Sequence, residues 1–210
     1  MYGMESGPQR RGTARKAILS ATLKLIAESG VDSVTHRRVA QAAGVSLGST
    51  THHFSGRREL LRESFQQYLL WGNRMIRVLA GAVQERKEHP VDQVRAILVA
   101  LVEREFANPE LVRAEYELLL YATRDPELAQ MVTDWEANLV GPLAAVLREA
   151  GAPRPSECAH TLVNFLRGFE MERLIKPALG RDEFVRRLTP LLGALCRTGN
   201  PIQRQAERLC

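Results

Sequence analysis

The polar residues best placed to do chemistry lie close together between Thr35 and Arg57. Thr35, Ser46, Ser49 and Thr51 bring hydroxyls, His52 and His53 bring imidazoles, and Arg37 and Arg57 bring fixed cations. Such a set suits hydrogen bonding to base edges and charge-assisted bonding to phosphate oxygens. It does not suit metal binding or hydrolysis. Adjacent helical residues point about 100° apart, so His52 and His53 do not form a chelating pair. Gly44-Val45-Ser46-Leu47-Gly48 fits the G-x-S-x-G elbow of α/β-hydrolases, but that elbow needs a strand before the serine. Here the preceding residues, RRVAQAA, have helical spacing and two arginines. No metal, nucleophile or phosphate-loop motif survives inspection, so an enzyme, a cofactor and a metal site are all unexpected. Cys158, Cys196 and Cys210 contain no C-x-x-C pair, and buried thiols at 158 and 196 are the reading of choice over redox sensing.

These side chains need a rigid carrier, and the surrounding pattern provides one. Thr35 can accept a hydrogen bond from the free N–H groups of a helix start. Val39, Ala40 and Ala43 then fall at helical spacing and give a short helix with one buried stripe. Gly44 follows where the chain must turn through positive φ. Val45 can pin the turn to the core, and Ser46 caps a second helix running from about Leu47 to His53. Two helices joined by a short glycine-containing turn make a helix-turn-helix, whose second helix enters a DNA major groove. On that helix Gly48 leaves room for close approach, Ser49 can bond a base edge or phosphate, and Leu47 could touch a thymine methyl. A backing helix over 13–29 carries Ala14, Ile18, Ala21 and Leu25 in one stripe and ends at Gly30. Phe54 reads as a core anchor.

Taken in register, Thr35, Val39, Ala40, Ala43, Gly44, Val45, Ser46, Gly48, Ser49, His53, Phe54, Arg57, Leu60 and Leu61 resemble the signature of the tetracycline-repressor (TetR) family. The specific match covers roughly the first 62 residues, within the size range of small domains that fold alone. It departs from the family at Thr50, where an apolar residue is usual, at Thr51, where Tyr is commonest, and at Leu47, often polar. The resemblance implies that His53 contacts the DNA backbone, that His52 projects into the groove and that Arg57 lies on a phosphate. Arg37, at the start of the second helix, is a further phosphate candidate. The resemblance also implies a homodimer in which the last two helices of each subunit form a four-helix bundle. The rows Cys158, Leu162, Phe165, Phe169 and Leu188, Leu191, Leu192, Leu195 would serve it, although the same faces could instead complete a monomer core. Family members hold an inducer among helices four to eight. Candidates here are Trp71, Met75, Phe106, Tyr116, Tyr121, Met131, Trp135 and Phe165, each of which could equally be plain core. Glu103, Glu105, Glu115 and Glu117 could serve a cationic ligand only if they faced inwards.

Length and charge agree with this picture. A chain of 210 residues can bury a sizeable core, and 45% hydrophobic with 25% charged residues is ordinary globular composition. Up to Arg62 the formal balance is +6, and over the remainder it is −1, so the whole positive excess sits on the helix-turn-helix segment. No apolar run approaches a membrane span and no signal core is seen, which leads to a cytoplasmic expectation with no membrane partner. The expected architecture is all-α with about nine helices. It comprises a flexible basic arm over 1–12, a three-helix DNA-binding domain over 13–62, a helical ligand-binding and dimerisation domain over 63–197, and a flexible tail over 198–210. The expected function is a sequence-specific DNA-binding transcriptional regulator, a repressor released from a palindromic operator in double-stranded DNA by an unidentified small-molecule inducer. The alternative is a DNA-binding regulator controlled by a protein partner or by abundance.

Overall fold

The computed structural model describes residues 8–84 and 88–196. Those residues form nine α-helices and one 3-10 turn, with no strand among them. The order is α1 (Pro8–Ser29), the turn Val31–Ser33, α2 (His36–Ala43), α3 (Leu47–His53), α4 (Arg57–Gln84), α5 (Pro90–Ala107), α6 (Pro109–Ala122), α7 (Pro126–Glu149), α8 (Pro155–Ile175) and α9 (Arg181–Leu195). Five of these helices open on proline, whose fixed φ suits the first helical position and whose missing N–H is not needed there. For the same reason α1 begins at Pro8, five residues before the sequence boundary at 13. The rest of the expected arm, and the tail beyond Cys196 with Cys210, lie outside the described residues. No described helix is long and apolar enough to cross a membrane.

The chain divides into two compact units, Met1–Gly72 with Asn108–Thr133, and Asn73–Ala107 with Asp134–Cys210. In the first unit α1 packs on α2, α3 and α6. Its core joins Ile18, Leu19 and Ile26 of α1 to Val39, Phe54, Leu60, Leu61 and Phe65, and to Val112, Ala114 and Leu118 of α6. The helix α6, which the sequence division grouped with the second domain, therefore belongs with the DNA-reading helices. Tyr68 donates a short hydrogen bond to the buried Glu115, and Arg58 grips Asp125 through Nε–Oδ2 at 2.8 Å and a second nitrogen at 3.2 Å from Oδ1. Asp125 in turn accepts from the backbone N–H of Glu127 at 3.1 Å, capping the start of α7. The Arg58 hydrogen bond holds the Asp125 carboxyl below the usual carboxylate range, against a burial effect that pushes it up.

In the second unit α5, α8 and α9 surround one apolar cluster. Phe184 of α9 stacks with Phe165 and Phe169 of α8 at 5.5 and 5.1 Å between ring centres. Four of the residues assigned to a dimer interface, Leu162, Phe169, Leu188 and Leu192, are buried within this cluster, and Leu191 and Leu195 pack against it half-buried. Leu162, Phe169, Leu188 and Leu192 thus help to complete the unit's own core, whereas Leu191 and Leu195 keep part of their surface open. Cys158 is buried beside them, its thiol 3.8 Å from the Leu195 carbonyl, and burial pushes the nearby Cys196 thiol up, which favours its protonated form.

Candidate nucleic-acid interface

The reading head is built by its caps. Thr35 lies in an extended conformation, and its Oγ1 accepts from the Arg38 N–H at 3.2 Å, starting α2. Gly44 stops α2 at φ 64°, and the Val45 N–H returns to the Ala40 carbonyl at 3.0 Å. Ser46 repeats the device for α3, its Oγ accepting from the Ser49 N–H at 3.1 Å. The Ser46 hydroxyl therefore caps a helix and stands after a helix, which removes the hydrolase reading of this segment.

Below α3, Thr50 is fully buried and its hydroxyl donates to the Leu47 carbonyl at 2.8 Å, so this polar residue occupies an apolar position without an orphaned group. Phe54, also buried, closes the end of the helix. Above, Leu47, Gly48, Thr51 and His52 are exposed, and their spacing puts them on one face. Leu47 has 47% of its surface open to solvent. Ser49 and His53 are half-buried at the edges of that face. The Thr51 hydroxyl lies 3.2 Å from the carbonyls of both Leu47 and Gly48 and donates back into its own helix. The imidazoles of His52 and His53 meet edge to face at 5.5 Å, which agrees with divergent side chains and not with a shared ion.

Charge on this unit differs from the sequence count. Arg15 pairs with Glu63, Lys24 with Glu28, Arg57 with Asp32, Arg58 with Asp125 and Arg62 with Glu127. Arg37, exposed at the start of α2, and Lys16 have no ion pair among the described residues. Arg57 is engaged within the fold. Its Nε and one terminal nitrogen donate to the carbonyls of Val34 and Val31 at 3.2 and 2.9 Å, the same nitrogen meets Asp32 at 3.1 Å, and the group lies 5.9 Å above the Tyr121 ring. It fastens the loop ahead of α2 to α4.

The eight inducer candidates are divided between the two units. Trp71, Tyr116, Tyr121 and Met131 belong to the first unit, and Phe106, Trp135 and Phe165 to the second. The Met75 side chain lies outside the described residues. Phe106 is capped by Arg173 at 3.9 Å, Trp135 faces Arg167 at 5.5 Å, and Phe165 packs on the core cluster. Of the four glutamates, Glu103 pairs with Arg181 at 2.7 Å, Glu105 lies 3.3 Å from Arg104, Glu115 accepts from Tyr68, and Glu117 stands 3.5 Å from where a side chain on Gly30 would begin.

Two family models match the chain: one described as bacterial regulatory proteins, tetR family, over residues 18–64, and one described as tetracyclin repressor-like, C-terminal domain, over residues 89–197. The transcriptional regulator BetI of Agrobacterium fabrum is 28% identical over 180 residues, covering 81% of this chain and 85% of BetI. A transcriptional regulator of Rhodococcus sp. Rha1 has a similar fold, with a TM-score of 0.75, 24% identity, and coverage of 86% of this chain and 95% of that one. The multidrug binding protein EbrR, solved with imidazole, gives a TM-score of 0.61 at 26% identity, covering 88% of this chain and 90% of its own.

Proposed function

Since the chain belongs to the tetR family of bacterial regulatory proteins, and is thus a DNA-binding transcriptional regulator and not an enzyme, we propose that it acts as a ligand-released repressor. Two copies read a palindromic operator, each placing the Leu47, Gly48, Thr51 and His52 face of α3 in a major groove. Leu47 meets a thymine methyl, His52 a base edge, and Arg37 with the half-buried His53 takes phosphates at the groove wall. The observation that carries this reading is the uncovered face of α3, held at both ends by the Ser46 cap and Phe54. A seven-residue helix reads too few bases alone, so a two-fold pair is the economical solution.

The pairing surface is the outer face of α8 and α9, opposite the rows buried in the core. On α8, Asn164, Gly168, Met171 and Ile175 form an exposed stripe, with Ile175 74% open to solvent; on α9, Pro190 and Ala194 are exposed. Release by a small molecule is supported by the likeness to a multidrug binding protein solved with imidazole. Such a ligand acts only through its different affinities for the DNA-bound and free arrangements.

The test is binding to a selected operator duplex over a range of salt. Arg37→Ala is expected to weaken binding on all sequences and lower the slope of log K against log salt by about 1. Leu47→Ala is expected to leave the slope alone and relax discrimination at one base pair. An unchanged slope for Arg37→Ala together with unchanged discrimination for Leu47→Ala would remove α2 and α3 as the reading surface.

A further inference from the structure

Within the first unit, α1, α4 and α6 border an open hollow of about 300 Å³ lined by Lys16, Ser20, Leu23, Gln67, Tyr68, Trp71 and Leu111. That volume is at the small end of ligand pockets, roughly 300–1,000 Å³. Its floor is aliphatic, from Leu23 and Leu111. One wall is aromatic: the rings of Tyr68 and Trp71 stand 6.5 Å apart at 48° to one another. Trp71 keeps 38% of its surface open, which is unusual for the largest apolar side chain on a packed helix.

The polar groups are arranged unevenly. Lys16 is exposed at the rim and has no ion pair among the described residues. Two carboxylates of the same unit are engaged elsewhere: Glu63 holds Arg15, and Glu115 holds the Tyr68 hydroxyl. Glu110 precedes Leu111 on α6 and so points about 100° away from the lining side chain. Ser20 and Gln67 add neutral donors beside the ammonium. A flat apolar body would therefore cover Trp71 and Tyr68, and a single anionic group would reach Lys16, Ser20 and Gln67.

We propose that this hollow is a binding site for a small aromatic carboxylate, held by its ring on Trp71 and by its carboxylate on Lys16. The site stands on its own walls and does not depend on the ligand response proposed above. Its bearing on DNA is that one wall is α1, the helix on which α2 and α3 are mounted.

The probe is 2-naphthoate, with uncharged 2-naphthamide as its shape-matched control, titrated calorimetrically against the full chain. The Trp135→Phe background, which leaves Trp71 as the sole tryptophan of two, reports the same event by fluorescence. The expected result is one 2-naphthoate per chain, weaker binding of 2-naphthamide, and a change in Trp71 emission. Lys16→Gln should weaken 2-naphthoate about fivefold, as loss of an exposed ion pair does, and leave 2-naphthamide unaltered. Gln67→Trp, which fills the hollow from an exposed position, should abolish both while the melting temperature stays unchanged. Equal binding of the two probes, absence of binding, or 2-naphthoate affinity indifferent to both substitutions would each overturn the site.

Discussion

Arg37 and Arg57 are the same side chain with opposite fates, and the difference decides what each does. Arg57 donates to two carbonyls and a carboxylate of the loop before α2, from 23 to 26 residues upstream, whereas Arg37 stands in solvent. Arg57→Ala should therefore lower the thermal stability of the protein by about 1–3 kcal/mol, leaving carbonyls without their charged donor, and should change the salt slope of DNA binding little. Thermal melts beside salt titrations separate the two arginines. The sequence places Arg37 at the start of α2 and Arg57 at the start of α4, but not the bonds of Arg57, because a local pattern does not reveal an acceptor two dozen residues away. The hydroxyls were legible for the converse reason. The Thr35 and Ser46 caps act on the N–H three residues on, so spacing alone identified them.

Elements were read well where their signals were local and poorly where a helix has two apolar-looking faces. The Gly44 turn illustrates the first case: φ 64° is a conformation in which a Cβ costs about 1–2 kcal/mol, so Gly44→Ala should destabilise by that amount although nothing stands within 4 Å of the site. The helices α8 and α9 illustrate the second. Their leucine rows suit an interface or a core equally well in sequence; within the subunit Leu162, Leu188 and Leu192 are buried around Phe165, Phe169 and Phe184, and Leu191 and Leu195 are half-buried. Leu188→Ala should accordingly cost about 2–5 kcal/mol as a core cavity and not act by dissociating a dimer. At the start of α7, the Arg58–Asp125 pair makes a pH-dependent contribution. A carboxyl held low in the folded state stabilises at neutral pH, and that stabilisation fades as acid protonates it below about pH 4. The melting temperature of Arg58→Met should thus fall short of the parent at pH 7, and the gap should narrow as pH is lowered towards 3.

At the scale of the molecule, the net charge counted along the sequence differs from the charge left free once the chain has folded. The +6 balance up to Arg62 is offset by about half within the fold, since Arg15, Arg58 and Arg62 take their acidic partners from beyond residue 62, at Glu63, Asp125 and Glu127, whereas the pairs Lys24–Glu28 and Arg57–Asp32 lie inside the count already. These partners are not visible in the sequence because α6 and the start of α7 return to pack with the first helices, a long-range event that periodicity does not encode. Assembly follows the same logic of inner and outer faces. Gly168 has open space where a side chain would begin, and Ile175 is exposed, so Gly168→Glu with Ile175→Glu should keep the helical content and melting profile of the isolated subunit while converting a dimer to monomers in sedimentation. A dimer that survives the pair would exclude the α8 stripe.

The central claim, that a two-fold pair of α3 helices reads DNA sequence, is tested most directly by selecting bound duplexes from a random pool. The account predicts enrichment of a palindrome whose half-site centres lie about 34–36 Å apart or a multiple of that. Recovery of duplexes with no common sequence, at an affinity set by salt alone, would contradict it and leave only a basic helical surface.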